Sequence, residues 1–476
     1  MSLFFGINIA LKGMMAQQTA LSVTSHNIAN ANTEGYSRQR VSLETSYPVS
    51  GIVSEAQLGS GVQVSGIERV RREFFDHQVR KESSSLENQN TVYDTLQLVE
   101  NVFMEPSETG FNQQLEEFWN AWQELSKNPE SSPVRTVVKE SAITLVDAFH
   151  RMNAQLNEIK NDAKNQIQLI VQEVNGIAKN IAQINKQVAS ISVTGQSAND
   201  LLDKRDLALD RLACLGSITV NQITDANGRP TGAIEVKLDG VNDGFNLVDT
   251  DGPHSLDTAI LDSILLKDGK LAGLMQVSSN SEKSNTIQLY TDKLNTIALS
   301  IAEIVNDIHK AGIDLDGNSG EDFFVFDGPV GAATIQLNPN IEYNISKIAA
   351  ASSNDILLTG NGDQARLIAE IRNTFLEFKP DSNQLINSGS GNITIGMFYK
   401  NMITELGSAA SESARMTENQ QVLVNQAITW RESVKSVSED EEIANMMLYQ
   451  HAFNASAKLI SVIDEMLNTI INNMKA

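Results

Sequence analysis

The first 33 residues have the pattern of a helix that packs lengthwise against another helix. They follow a ladder of alternating three- and four-residue steps, which is a heptad pattern. Its apolar members are Leu3, Ile7, Ala10, Met14, Leu21 and Ile28, and Gln17 and Thr24 fill the remaining positions. Lys12 carries the only side-chain charge in this stretch, whereas a solitary surface helix carries charge on its outer face. We therefore expect this helix to be surrounded by protein and to end within Asn30–Tyr36, where Asn and Gly favour a sharp exit.

The segment 437–476 predicts a second helix of this kind. Ser438 and Glu441 form a capping box at its start, where acidic residues favour the helix dipole. One apolar row comprises Ile443, Met446, Phe453, Ala457, Ile460, Leu467, Ile471 and Met474, and a second comprises Leu448, Ala452, Ala455, Leu459, Val462 and Met466. A helix that is apolar on two faces needs partners on two sides. We predict that residues 1–41 and 437–476 pair as one coiled-coil domain that other subunits then bury.

Long helical segments lie between these ends. Heptad periodicity runs almost unbroken to Ile191 in a stretch that opens at Ser132-Pro133, and a continuous helix from Pro133 to Ile191 is about 90 Å long at 1.5 Å per residue. Such a rod is typical of a bundle or a fibrous subunit. We therefore predict a mainly α protein in which residues 42–215, 280–312 and 396–436 form a long-helix bundle.

Two segments interrupt the helical pattern with strand signals. Ile234, Val236 and Leu238 alternate with charged residues, which is the pattern of a half-buried strand, and Asn227-Gly228 is a hairpin turn. We predict a small β-rich insertion at 216–279 and a second, reduced insertion of mixed α/β type at 313–395. The chain after the first helix, about Ser37 to Arg69, is predicted to be extended with a hairpin.

The most aromatic part of the chain is a short helical segment that we predict to be core. It contains Phe111, Leu115, Phe118, Trp119, Trp122 and Leu125. Large aromatic side chains at helical spacing belong more often to a core than to a binding surface. We expect this helix to cap the bundle.

Composition and charge exclude several classes of function. The chain has 476 residues, a net charge of −23 and an isoelectric point near 4.7, which argues against nucleic-acid binding because that needs a basic surface. Its single cysteine, Cys214, excludes a disulfide framework within the chain. Leu3–Leu11 lacks the basic residues of a cleaved secretory signal, and no apolar run reaches the length of a membrane span. Composition alone favours a cytoplasmic protein.

Three patterns resemble ligand sites by letter but predict none. Asp314, Asp316 and Asn318 begin like a calcium loop, yet Ser319 stands where its turn glycine belongs and Val325 where its bidentate Glu belongs. Gly360-Asn361-Gly362 lacks the surrounding βαβ unit of a dinucleotide site, so a turn with a helix cap at Asp363 is the better interpretation. The six histidines are scattered without metal spacing. We predict no metal site, no cofactor and no catalysis.

Both ends of the chain carry segments that resemble a known protein family. The N-terminal segment reads Ser25-His26-Asn27-Ile28-Ala29-Asn30-Ala31-Asn32-Thr33-Glu34-Gly35-Tyr36-Ser37-Arg38, and the C-terminal segment Glu441–Lys458 includes Asn445-Met446-Met447-Leu448-Tyr449-Gln450. They resemble the paired signatures of the axial proteins of the bacterial flagellum, which are the rod, hook and hook-associated proteins. The resemblance implies export through a dedicated channel without cleavage, which replaces the cytoplasmic expectation.

The middle of the chain is similar to one branch of these proteins. Asn199–Asp206, and His309–Asn318 running into Asp322-Phe323-Phe324, are similar to stretches typical of the hook-associated protein 1 family. The second insertion is short beside longer members of that family, so an outer β domain is expected to be reduced or missing.

This resemblance implies a structural subunit of the extracellular hook–filament junction. Its partners are expected to be copies of itself in a ring, the hook protein, hook-associated protein 3 and the flagellin filament, with an export chaperone on the C-terminal helix before secretion. The terminal helices would line an inner tube. The expected assembly interface comprises Leu3, Ile7, Ala10, Met14, Leu21, Asn27, Ile28, Asn30, Asn32, Gly35, Tyr36, Ile443, Met446, Phe453, Ala457, Ile460, Leu467 and Ile471.

Two other classes stay open at this point. Another axial protein, such as a flagellin or a hook or rod subunit, shares the terminal signatures but should lack the central Asp314–Asp322 stretch. A secreted coiled-coil adhesin or effector shares heptads but should lack both signatures.

Overall fold

The computed structural model describes residues 3–47, 49–50, 57–103, 110–242, 244–279, 286–352, 360–379, 384–388 and 391–473. The helices are α1 (Leu3–Ala29), α2 (Glu73–Phe103), α3 (Phe111–Lys127), α4 (Ser132–Ser192), α5 (Asn199–Leu215), α6 (Thr258–Ile264), α7 (Lys270–Ser278), α8 (Ile287–Lys310), α9 (Pro339–Tyr343), α10 (Asp363–Glu370), α11 (Ile395–Lys435) and α12 (Glu439–Asn473). The strands are β1 (Gln39–Thr45), β2 (Val49–Ser50), β3 (Gln57–Leu58), β4 (Val62–Arg69), β5 (Ile218–Thr224), β6 (Pro230–Leu238), β7 (Phe245–Val248), β8 (Gly312–Ile313), β9 (Phe324–Phe326), β10 (Ile335–Leu337), β11 (Ala351–Ser352), β12 (Glu377–Lys379) and β13 (Gln384–Ile386). The prediction of a mainly α fold is confirmed.

The predicted long rod is helix α4. It has 61 residues, which corresponds to a length of about 90 Å. It begins at Ser132, one residue before the predicted Pro133, and ends at Ser192. Gly195 follows with a φ of +75°, a left-handed conformation that glycine adopts without steric cost.

The chain folds into two compact units. The first comprises Met1–Glu87, Ile170–Gly269 and Gln420–Ala476, and the second comprises Asn88–Leu169 and Lys270–Asn419. Each unit combines segments that the sequence assigns to different predicted domains, and the four-part division itself stays a prediction.

In the first unit, α1 packs along α12 and the chain then enters an antiparallel hairpin. Strands β1 and β4 pair from Gln39 with Arg69 to Thr45 with Val62, which confirms the predicted hairpin. The β-rich segment forms a three-stranded antiparallel sheet in the order β5-β6-β7. Ile234, Val236 and Leu238 on β6 are buried and the residues between them are half-buried, so the predicted alternation is confirmed.

The second unit is built around one large apolar core. Phe118, Trp119 and Trp122 of α3 are almost completely buried, which confirms the predicted role of the aromatic segment. The segment after α8 contributes to this same core through Phe323, Phe324, Ile335, Leu337, Ile341, Ile348, Ile368, Ile371, Leu376 and Leu385. These residues pack with the core residues of α3 and α8 rather than forming a core of their own.

The Gly360 pattern is a turn, as predicted, but its cap differs in detail. Gly362 is the N-cap of α10 and Asp363 is its first helical residue. The side chain of Asn361 accepts a hydrogen bond from Asp363 N at 3.0 Å. Several residues used in the sequence interpretation lie outside the described residues, namely Pro48, Ile52, Val53, Met104, Pro106, Asp243, Ile356–Leu358 and Met474.

Candidate assembly interface

Small residues of α1 allow α12 to approach closely. A methyl group placed on Gly6 would lie 3.1 Å from Ile463 Cδ1, and one placed on Gly13 would lie 3.3 Å from Ser456 Oγ. Ala10, Ala16 and Ala20 are buried along the same helix. The main contact line of α1 is therefore made of glycine and alanine, while larger side chains of α12 such as Ile463 fill the space against it.

The two helices are antiparallel and keep one register along their length. The contact positions advance by seven residues from Gly6 to Gly13 on α1 and retreat by seven from Ile463 to Ser456 on α12. Asn27 lies two heptads beyond Gly13 and bonds to Glu442, which lies two heptads before Ser456. Equal steps of seven on both helices are the geometry of a coiled-coil seam.

Of the predicted apolar residues of α1, Ala10 lies on this line and the larger ones lie beside it. Ala10 is buried, whereas Ile7, Met14, Leu21 and Ile28 are half-buried; the side chain of Leu3 is outside the described part of the chain. The sequence pattern selects the largest apolar residues, but two helices approach most closely where the side chains are smallest. The larger residues therefore flank the contact and keep part of their surface exposed.

The predicted residues of α12 divide into two groups. Met446, Phe453, Ala457, Ile460 and Leu467 are half-buried, on the side of α12 that also carries Glu442, Ser456 and Ile463. Ile443 and Ile471 are exposed. Both groups consist of apolar residues, so hydrophobicity in the sequence does not distinguish the half-buried positions from the exposed ones.

The second predicted row of α12 forms an uncovered apolar face. Its large members and the adjoining Ile470 have exposed fractions that reach from 40% to 63%: Leu448, Leu459, Val462, Met466 and Ile470. Phe4 and Met15 of α1 are exposed as well. Contiguous apolar surface of this kind usually marks an interaction site.

Asn27 is the centre of the N-terminal signature. Its Nδ2 group donates to Gln39 O at 2.8 Å and to Glu442 Oε2 at 3.0 Å. Its Oδ1 atom accepts from the Tyr36 hydroxyl at 2.8 Å and from Gln39 N at 2.9 Å. A side chain with two donors and an acceptor oxygen is needed to make all four bonds, which explains why an asparagine occupies this buried position.

The other signature residues shape the exit from α1. Asn30 donates from Nδ2 to His26 O at 3.0 Å, and Gly35 has a φ of +80°, where a side chain is strained. Asn32 is exposed. Burial, and then the carboxylates of Asp200, Asp203 and Glu442, raise the pKa of Tyr36 above its ordinary value, so its hydroxyl stays protonated and donates.

Glu442 connects this signature to the start of α12. Its side chain is almost fully buried and accepts from Arg38 Nε at 2.8 Å. Arg38 also donates from Nη1 to the exposed Glu441 at 2.9 Å. The Arg38 backbone N donates to Lys435 O at 2.9 Å, beside the turn between α11 and α12.

Acidic side chains on one face of α5 accept hydrogen bonds from the chain that follows α1 and from nearby arginines. Asp203 accepts from Ser37 N at 3.0 Å and from Arg69 Nη1 at 2.8 Å. Arg69 also donates to Asp206 at 2.8 Å, and Arg80 donates to Asp210 at 2.7 Å. These acids are spaced by three and four residues, which places them on one face of the helix.

Sequence reasoning missed this charge network, although it used the segment Asn199–Asp206 for the resemblance. Arg71 forms a bidentate pair with Asp76 at 2.7 and 2.8 Å. Burial alone would raise the pKa of Asp206, but Arg71, Arg69 and Arg80 outweigh it and lower that pKa below the ordinary value. The helical spacing of the acids and the alternation of Arg69 and Arg71 were signals that could have predicted a shared cluster.

The loop at Asp314, which resembles the start of a calcium site by letter, is held by hydrogen bonds within the loop. Asp314 Oδ1 accepts from Asp316 N at 2.9 Å and from Asn318 N at 2.7 Å, so the loop that resembles a calcium site is a turn closed on its own backbone. Among the described residues, no group of three His, Cys, Asp or Glu side chains is placed to hold a metal ion. The described helices include none that combines the length and apolar character needed to cross a bilayer.

Comparison with known proteins identifies the family. Residues 96–324 match the flagellar hook-associated protein FlgK helical domain, residues 7–36 match the flagella basal body rod protein model, and residues 436–474 match the flagellar basal body rod FlgEFG protein C-terminal model. The flagellar hook-associated protein 1 of Bacillus subtilis is 30% identical over 99% of each chain. The chain belongs to the flagellar hook-associated protein 1 family.

More distant hook-associated proteins agree with this assignment. The flagellar hook-associated protein 1 of Salmonella typhimurium is 24% identical over 98% of this chain and 99% of its own. The solved structure of the flagellar hook junction protein FlgK from Burkholderia pseudomallei has a TM-score of 0.61 at 15% identity, over 75% of this chain and all of that one. That similarity shows a shared fold.

Family membership settles the broad function. The chain is a structural subunit of the bacterial flagellum, associated with the hook and part of the extracellular structure. The full-length match decides against a flagellin and against an unrelated coiled-coil adhesin.

Proposed function

We propose that this chain forms the hook–filament junction as a ring of identical subunits joined through their terminal helices. In this arrangement α1 and α12 of each copy line the inner tube. Their flanking apolar residues, including the predicted interface residues Ile7, Met14, Leu21, Ile460 and Leu467, are buried by neighbouring copies. Each subunit reaches this site by export without cleavage.

The observation that carries the proposal is the uncovered apolar face of α12. Leu459 and Met466 are 54% and 50% exposed although the opposite side of the same helix is packed on α1. Burying the exposed half of such a side chain contributes about 1 kcal/mol, roughly half the value for complete burial, and repetition around a ring makes these contributions collectively large. A second copy fits this face because every copy offers the same apolar surface.

The other expected partners follow from the position of a junction subunit between the hook and the filament. A junction subunit contacts the hook protein on one side, and hook-associated protein 3 and then the flagellin filament on the other. Before export the uncovered face of α12 would need protection from aggregation, and an export chaperone that covers the C-terminal helix would provide it.

The first test is the phenotype of a bacterium that lacks this gene. Electron microscopy is expected to show bare hooks, and flagellin is expected in the medium. Complementation with Leu459→Asp is expected to fail because it buries a charge in the subunit interface. The matched control Asn454→Asp, at an exposed polar position of the same helix, is expected to restore filaments.

Two other phenotypes would contradict parts of the proposal. Absent hooks would make the chain a rod or hook subunit. Normal filaments with Leu459→Asp would mean that the uncovered face of α12 is not an assembly surface.

A further inference from the structure

The apolar seam between α1 and α12 does not determine its own register. Gly6, Gly13 and Ala20 recur every seven residues on α1, opposite Ile463 and Ser456, which are also seven apart on α12. Sliding one helix by a heptad would again place small residues of α1 against the same row of α12. Heptad packing alone tolerates such a slip.

The chain connection after α1 does not prevent the slip either. A shift of seven residues moves one helix by about 10 Å. The nine residues between α1 and β1, Asn30–Arg38, span roughly 30 Å when extended. On the α1 side of the pair, side-chain contacts rather than linker length therefore select the observed register.

We propose that buried Glu442, held by Asn27 and Arg38, fixes the register in which α1 and α12 pair. Among the described side chains of α12 it is the buried charged one: its side chain is 3% exposed and its carboxylate accepts hydrogen bonds from both Asn27 and Arg38. After a slip of one heptad Glu442 would face Ala20 in one direction, which offers neither a hydrogen bond nor a positive charge, and in the other direction it would lie beyond Ala29, the last residue of α1. A buried carboxylate that loses its partners is strongly destabilised.

This role differs from simple stabilisation of the pair. Replacing a whole buried ion pair by apolar groups is often neutral, and removing one partner is costly only when the other stays buried and unpaired. Single buried polar groups are known to fix the register of helix pairs. In Glu442→Leu, Asn27 keeps its bonds to Tyr36 and Gln39, and Arg38 keeps Glu441. The observed and slipped registers then differ little in their packing. The inference deepens the proposed function, because the register decides which residues face neighbouring subunits.

The test measures register by disulfide formation in the purified full-length chain. In a Cys214→Ser background, one variant carries the in-register pair Gly13→Cys with Ser456→Cys. Two others carry slipped pairs, Gly6→Cys with Ser456→Cys and Gly13→Cys with Ile463→Cys. Mild oxidation followed by electrophoresis reports which pair closes.

With Glu442 present, the in-register pair is expected to close at least about tenfold faster than either slipped pair. With Glu442→Leu, a slipped pair is expected to close at a rate comparable with the in-register pair. The matched control is Glu441→Leu, since Glu441 also pairs with Arg38 but is exposed, and it is expected to keep the original preference.

The inference is overturned if Glu442→Leu keeps the in-register preference, if the control loses it as well, or if the chain with Glu442 shows no preference. These outcomes are read in the isolated subunit, so they are independent of whether the subunit forms a junction in cells.

Discussion

At the scale of single residues, burial and hydrogen bonding determine the protonation state of His309. His309 is completely buried; its Nε2 atom accepts from Ala349 N at 2.8 Å, so Nδ1 carries the proton and donates to Glu321 O at 2.6 Å. Burial lowers the pKa of His309 from 6.5 to about 4. The neutral imidazole therefore joins the end of α8 to two later segments of the second unit.

The stability of the second unit is expected to fall on acidification because of His309. Between pH 6.5 and pH 4 the unfolded chain binds a proton at this histidine and the folded chain does not. Stability is therefore full at pH 7 and falls as the pH drops through this window, by about 3 kcal/mol in total. Urea unfolding at pH 7 and pH 4.5, followed by the fluorescence of Trp119 and Trp122 in a Trp430→Phe background, measures the loss.

His309→Gln is expected to reduce this pH dependence, since glutamine does not titrate. It should also lower stability at pH 7 by about 1–3 kcal/mol, because the glutamine amide does not place its donor and its acceptor where the two ring nitrogens lie. His451→Gln, at an exposed histidine, is the control and should change neither quantity. A pH dependence that survives in His309→Gln would assign the acid sensitivity to other groups.

At the scale of elements, the pairing of α1 and α12 depends on glycines, which have low helix propensity and no apolar side chain. Glycine lowers helix stability by about 1 kcal/mol relative to alanine, yet Gly6 and Gly13 lie within α1. At both positions α12 lies close enough that a large side chain would push it away. Gly176 of α4, in contrast, has no atom within 4 Å of its Cβ position.

These two glycine environments predict opposite effects of substitution. Gly13→Leu is expected to separate α1 from α12, because its side chain would meet Ser456, and hydrogen exchange should show lost protection of α12 amides. Gly176→Ala is expected to stabilise the chain by about 0.5–1 kcal/mol, since it gains helix propensity without a clash. Unchanged protection in Gly13→Leu would contradict the close-packed seam.

At the scale of the whole molecule, the proposed assembly surface and the core of the second unit consist of different residues. The large aromatic core lies within the second unit, whereas α1 and α12 belong to the first. Charge on the terminal pair should therefore affect assembly without unfolding that core.

Ile7→Asp and Ile460→Asp are expected to abolish filament growth while the second unit stays folded. Both side chains are half-buried, and a carboxylate there loses hydration when subunits pack. Motility and electron microscopy measure assembly, and the fluorescence of Trp119 and Trp122 measures folding. Ser461→Asp, at the exposed position next to Ile460, is the control; wild-type motility in Ile460→Asp would argue against a terminal interface.

The sequence alone determined the elements that depend on local pattern. The helix from Pro133 to Ile191, the alternating strand around Val236 and the aromatic core segment were predictable, because period and residue type report local structure and burial directly. The turn at Asp314 was predictable for the same reason, since the hydrogen bonds that close it lie within five residues. The family was also predictable, because its signatures lie in continuous segments at both ends.

Only the tertiary structure decided which residues meet across the chain. Gly6 and Gly13 carry no hydrophobic signal, so the pattern of apolar residues pointed one position away from the true contact line. Glu442 reads as one of four acids at a helix start, and its burial against Asn27 depends on a partner 415 positions away in sequence. Contacts of this kind follow from how helices approach one another in space, which heptad spacing limits but does not specify.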